Sequence, residues 1–180
     1  MTMTESAADP RFPVGTFQRD VEATPERRRE WIGSIAETPA RFRAAVEGLS
    51  DQQLDTPYRD GGWTVRQLAH HVPDSHMNAY TRFKLGLTEE NPTIKTYDEA
   101  AWAELEDTRS TPVASSLTAL ELLHERWVNL LRSISDEQWA RTINHPDHGP
   151  MRLDMLLAMY AWHGRHHVAH VTALRERMGW

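Results

Sequence analysis

Four of the ten histidines in this 180-residue chain fall within eight residues: His163, His166, His167 and His170. Three more, His70, His71 and His76, fall within seven. His163 and His167 stand four apart. On a helix that spacing stacks two side chains on one face, with Cβ atoms about 5–6 Å apart. Two imidazoles so placed can converge on one divalent ion at Zn–N distances of ~2.0–2.1 Å. A third ligand must come from another element, and spacing leaves His70 and His71 both open. The bland alternative is a pair of solvated or core histidines, since the HxxxH pattern arises in helices by chance. The position of the pair argues for a shared ion. Leu156, Tyr160, His163, His167, Val171, Leu174 and Met178 recur at steps of three and four, which is one inward-facing seam.

The chemistry open to such a site is bounded by what surrounds it. Zinc peptidases of the HExxH type need Glu directly after the first His as general base, whereas Gly164 follows His163. The chain has no cysteine, so disulfides, thiolate nucleophiles and Cys-type zinc sites are excluded. Three neutral ligands leave one divalent ion its full charge and an open position, the pattern of catalytic rather than structural sites. Water there leads to hydrolysis. A substrate thiol there leads to transfer. The alternative from another class is a non-enzymatic metal-binding module of the stress response.

Three polar residues follow His71 on the same segment. Asp74 is placed to accept the free N–H of a ligand imidazole. Asn78 and Arg82 come one and two turns later and suit a polar pocket, Arg82 through the affinity of its planar fork for carboxylates. The competing reading of all three is solvated helix surface. His166 defaults to the surface or the surroundings of the site, and His76 and His170 to the core or an interface. Trp63, Trp102, Trp127 and Trp162 read as core anchors, with Trp31 and Trp139 in the same role.

The elements that must position these residues are helical. Residues 1–23 read as an irregular arm broken by Pro10, Pro13 and Gly15, placed to cover the pocket mouth or a dimer partner. Thr24-Pro25 starts a helix running to about Leu49, with Pro39 as a point of interruption. Residues 50–62 read as a connector. Thr64-Val65-Arg66-Gln67 is a capping box that opens a helix over about 65–88. Pro73 within it predicts a kink beside His71. A short helix over roughly 98–106 is followed by Thr111-Pro112, another cap-and-proline start, and a helix to about 134. Residues 141–151 read as a loop. The last helix runs from about Arg152 to Met178, with Gly179 as its stop. The expected fold is all-α: a four-helix bundle with one short extra helix and the irregular N-terminal arm, residues 24–180 forming a single domain.

Bulk properties agree. A net charge of −6 disfavours phosphate backbones, so no nucleic-acid partner is expected. No stretch approaches the ~20 apolar residues of a membrane span, and the first twelve residues do not read as a signal peptide. A cytoplasmic protein with small-molecule partners and no membrane contact is the expectation.

The segments Tyr58-Arg-Asp-Gly-Gly-Trp-Thr-Val-Arg-Gln-Leu-Ala-His-His71, Asp74-Ser-His-Met-Asn78 and Arg82-Phe-Lys84 resemble the DinB superfamily, and within it the YfiT-like branch. Tyr97-Asp-Glu99, His124-Glu-Arg-Trp127, His145-Pro146 and Trp162-His-Gly-Arg-His-His-Val-Ala-His170 extend the resemblance from about residue 12 to the end. It implies a dimeric four-helix bundle carrying one metal ion, zinc first and nickel second. It selects His71, with His163 and His167, as the ligands. It also implies a metal-dependent enzyme: foremost a bacillithiol-type S-transferase joining a thiol to an electrophile, in the alternative a hydrolase. Pro73 departs from the branch, which carries Ala at that position.

Overall fold

The computed structural model describes residues 9–180. Four long helices dominate: α1 (Pro25–Val46), α3 (Val65–Thr88), α6 (Val113–Arg132) and α8 (Leu153–Met178). Between them lie α2 (Asp51–Leu54), α4 (Glu99–Ala103), α5 (Glu106–Ser110), α7 (Asp136–Trp139) and a hairpin of β1 (Thr142–His145) and β2 (Gly149–Arg152). The ends follow from local chemistry. Thr24 caps α1, its hydroxyl accepting from the Arg27 N–H, and Pro25 fills the first position. Thr64 and Gln67 close a reciprocal capping box on α3 at 2.9 and 3.1 Å. Gly179 ends α8 in the left-handed region at φ 69°, where a side chain would be strained.

α1 packs on α6 and α8, and α3 packs on the same two helices. α1 and α3 therefore lie on one diagonal of the bundle and α6 and α8 on the other, while α3 and α6 are neighbours. This is the irregular topology that connections of such length allow. α3 continues through Pro73. The proline removes one N–H from the ladder without ending the helix.

Several local expectations are corrected. The connector after α1 contains α2, and a further turn, α7, precedes the hairpin. Both are opened by Ser-x-x-Gln boxes, Ser50 with Gln53 and Ser135 with Gln138. The short helix near 98–106 is two helices, α4 and α5. Thr111 does not cap α6: its N–H closes α5 on the Asp107 carbonyl, and Pro112 stands at the cap position with no side-chain bond. The loop at 141–151 is a paired hairpin with Ile143 opposite Met151, both buried. Trp127 and Trp139 are core residues, but Trp102 is exposed and packs at a tilt on Tyr97 at 4.4 Å. Among the described residues no helix is long and apolar enough to cross a membrane.

Each long helix changes character midway. One apolar cluster holds Ile35, Ala79, Phe83, Trp127 and Leu157; the other holds Phe42, Val72, Leu120 and Val171. Between them every long helix contributes buried polar groups: Thr38 from α1, Ser75 and His76 from α3, His124 from α6, and His166, His167 and His170 from α8. A polar layer thus divides the core. Such a layer costs stability unless its groups are partnered.

α8 approaches α1 closely at this layer. A Cβ on Gly164 would stand 2.4 Å from Thr38 Oγ1, so glycine there sets the distance between the helices. The residue that excludes an HExxH motif has a packing role.

Candidate metal centre

His71, on α3, and His163 and His167, on α8, face one another. Each offers a ring nitrogen, and the three nitrogens lie within 4.8 Å of one another. The Nε2 atoms of His163 and His167 are 3.2 Å apart. The His71 ring centre is 5.4 Å from that of His163 and 5.0 Å from that of His167. Trp63 packs edge-on against His71 at 4.7 Å. The two members of the α3 pair part company. His70 turns toward α6, its Nδ1 2.7 Å from the Ser116 hydroxyl. His71 is on the wall of a cavity of about 350 Å³ together with His163 and His167.

Burial decides the charge state of these rings. It lowers His71 to about 4 and holds His163 and His167 well below the ordinary histidine range, with the neighbouring rings adding to the effect in the latter two. Neutral imidazole is the form that ligates a metal. The donor set therefore fits a divalent metal ion.

Behind the three rings the polar layer continues as hydrogen-bonded histidines. His163 Nδ1 is 3.0 Å from His76 Nε2, His76 Nδ1 is 2.7 Å from His124 Nε2, and His124 Nδ1 donates to the Ile35 carbonyl at 2.8 Å. On the other side His167 Nδ1 is 3.3 Å from His170 Nδ1, and His170 Nε2 donates to the Arg11 carbonyl at 3.2 Å. The Ser75 hydroxyl reaches His163 Nε2 at 3.5 Å, the outer limit of a hydrogen bond.

The arm lies along α8 of its own chain. Phe12 packs 6.2 Å from His166, Phe17 packs 6.0 Å from Trp162, and Trp162 Nε1 donates to the Gly15 carbonyl at 3.0 Å. His166 stacks on Trp162 at 4.3 Å, and His170 stacks on Tyr58 at 4.0 Å. A second group, His166, His167 and His170, also has ligating atoms within 4.8 Å of one another, and it shares His167 with the first.

The other polar residues singled out on α3 are placed differently. Asp74 is half-buried and its carboxyl is pushed up to about 6, by burial first and by Asp107 second. Asn78 donates to the Asp74 carbonyl at 2.9 Å. Arg82 is buried, donating to the Tyr160 hydroxyl at 3.2 Å and the Lys95 carbonyl at 3.4 Å. None of the three is on the cavity wall. Among the described residues the carboxylate that is on the wall is Glu99, the first residue of α4. The residue sits exposed at the mouth, while burial of its carboxyl raises its pKa against the pull of Arg82. Sequence reasoning gave Glu99 no role. Its distance along the chain from every histidine pair hid it.

The DinB superfamily pattern matches residues 34–171. A Bacillus cereus (strain AH820) protein described as a "putative metal-dependent hydrolase" is 54% identical over 172 residues, covering 96% of this chain and 99% of that protein. A Bacillus anthracis protein of the same description is equally similar. The solved structure of YfiT from Bacillus subtilis, described as a probable metal-dependent hydrolase with an unusual four-helix bundle topology, superposes with a TM-score of 0.92 at 49% identity, covering 95% of this chain and 98% of YfiT. The chain belongs to the DinB superfamily and, within it, to the YfiT-like branch.

Proposed function

We propose that this chain is a metal-dependent hydrolase of a small molecule, with one divalent ion held by His71, His163 and His167. The observation that carries the reading is the 3.2 Å separation of His163 Nε2 and His167 Nε2. Two imidazole ligands on one tetrahedral zinc ion would stand about 3.3 Å apart at ordinary Zn–N distances. His71 completes a set of three neutral nitrogens, and the description of the Bacillus relatives as metal-dependent hydrolases supports the same reading. Zinc is the first choice of ion and nickel the second, since imidazole suits both. Bound there, the ion supplies Lewis acidity and the means to ionise water near neutral pH.

The chain's own residues do the rest. The cavity of about 350 Å³ suits a small molecule. Trp63 and Trp162 give it aromatic walls, and Arg59 places a cation on its rim. Glu99 is a carboxylate on the wall able to take and return a proton, and its raised pKa suits that exchange.

An open site of this kind also accepts a thiol. The family resemblance carries a second version of the reading, in which a bacillithiol-type thiol is joined to an electrophile by a homodimeric enzyme. The relatives' descriptions favour hydrolysis.

The test is to load the protein with zinc or nickel and offer chromogenic esters, lactones and amides with and without added thiol. Saturable hydrolysis without thiol, lost in His163→Ala, is expected. Turnover that requires bacillithiol and an electrophile would replace hydrolysis with transfer.

A further inference from the structure

We infer that His76, His124 and His170 are positioning residues: two histidine relays, each anchored on a backbone carbonyl, fix the ring tautomers of His163 and His167 so that both present Nε2 lone pairs to the same point. This rests on the reading of those two residues as ligands, and it adds what prepares them.

The direction of each relay follows from its anchor, because a carbonyl oxygen only accepts. The Ile35 carbonyl takes a proton from His124 Nδ1. In a neutral ring His124 Nε2 is then the acceptor, so His76 Nδ1 donates to it at 2.7 Å. His76 Nε2 must accept in turn, and His163 Nδ1 donates to it at 3.0 Å. His163 Nε2 is left bare. The second relay runs the same way from the arm. The Arg11 carbonyl takes a proton from His170 Nε2. His170 Nδ1 accepts from His167 Nδ1 at 3.3 Å, and His167 Nε2 is left bare.

Two lone pairs therefore face each other across 3.2 Å with no proton assigned between them. That arrangement is repulsive until a cation divides it. His76, His124, His167 and His170 are buried and His163 is half-buried, and among the described residues no carboxylate hydrogen-bonds any of the five, so neutral rings are the consistent assignment. The relays also reach far: one ties α8 through α3 and α6 to α1, and the other ties α8 to residue 11 of the arm. The outer partner of a metal-bound imidazole is usually a carboxylate, a carbonyl or water. Here a further imidazole separates ligand from carbonyl.

The direct test reads tautomers in the full-length, metal-free protein by long-range proton–nitrogen-15 NMR correlation of the imidazole rings. Protonated Nδ1 and bare Nε2 at His163 and His167 are expected. A protonated Nε2 on either ring overturns the relay behind it, whatever the protein's activity. The second arm measures zinc affinity by competition with a chromophoric chelator. His76→Leu and His170→Leu remove the acceptor and are expected to weaken zinc binding about 10–100-fold. His76→Gln and His170→Gln keep an acceptor oxygen and are expected to recover most of that loss. Equal loss in the Leu and Gln variants, or no loss in either, overturns the proposal. One zinc per chain is expected; a second ion at His166, His167 and His170 would need a lone pair of His170, both of whose nitrogens the arm relay occupies, and would overturn that relay. Failure of the hydrolase reading is distinguishable: it would leave tautomers and zinc affinities as stated and abolish turnover alone.

Discussion

His163 Nε2 and His167 Nε2 approach to 3.2 Å across one turn of α8, within the polar layer between the two apolar clusters, and the relays make both atoms acceptors. The helix brings the rings together on the wall of the cavity. A shared cation resolves the contact. Removing either ring should then cost more zinc affinity than removing a residue that only supports a ligand. His163→Ala and His167→Ala are each expected to weaken zinc binding by more than about 100-fold, beyond the 10–100-fold typical of supporting partners. His70→Ala, whose ring is bonded to Ser116, is expected to bind zinc as the wild type does. Chelator competition on the three variants checks the ranking.

The same burial makes the metal-free protein acid-sensitive. His71 and His124 are lowered to about 4 by burial, while the unfolded chain titrates near 6.5. Between those values the unfolded state binds protons that the folded state refuses, so stability falls as pH falls. Each of the two contributes a slope of at most about 1.4 kcal/mol per pH unit in that window. Asp74, raised to about 6, and Glu99, also raised, work in the opposite direction over the carboxylates' own window, but they are two protons against several. Urea midpoints of the metal-free protein are expected to drop steadily from pH 7 to pH 4.5. Bound zinc is expected to raise stability at pH 7 and to lose that effect as protons compete for the rings.

Much of this was legible in the chain. Hydrophobic steps of three and four, with Thr64-x-x-Gln67 and Thr24-Pro25, place the long helices to within a few residues. The pair at 163 and 167 is visible because its partners are local. What was hidden depends on tertiary packing. Spacing could not separate His70 from His71, because the choice depends on which ring meets Ser116 across the α3–α6 interface. His124 joins the site only through a contact between residues 48 apart. Pro146, Gly149 and Pro150 obscured a hairpin whose inward residues, Ile143 and Met151, are too few to show alternation. The boxes at Ser50 and Ser135 are readable signals of α2 and α7, the first inside the connector at 50–62 and the second between the helix ending near 134 and the loop at 141–151.

Gly164 gives a packing prediction independent of the metal. Its absent Cβ would meet Thr38 Oγ1 at 2.4 Å and Thr38 Cγ2 at 2.9 Å. Thr38 is buried and its hydroxyl donates to the Ser34 carbonyl at 2.9 Å, so it has little room to yield. Gly164→Ala is expected to destabilise the protein by about 1–3 kcal/mol, the range for overpacking a filled core. Thr38→Ala in the same chain removes the two closest atoms and is expected to return part of the loss. Thermal unfolding of the two single variants and the double variant measures the coupling. Additive losses would place the strain elsewhere.

Glu99 separates holding the metal from using it. It is on the cavity wall at the start of α4, at the mouth rather than in the cluster of rings. Asp98 caps that helix, its carboxylate accepting from the Ala101 N–H at 2.9 Å, so Glu99 is held in the first turn without contributing to the core. Replacing it should leave the metal site intact. Glu99→Gln keeps the shape and removes the exchangeable proton. It is expected to bind zinc with unchanged affinity and to lose hydrolytic turnover by about 10²–10⁴-fold, the range for a positioned general base or acid. The wild-type rate is expected to fall on the acid side as the carboxylate is protonated, and that limb should vanish in the variant. If turnover survives the substitution while zinc binding is unchanged, the proton passes through another group. If zinc binding falls with it, Glu99 acts on the metal site and not on the substrate.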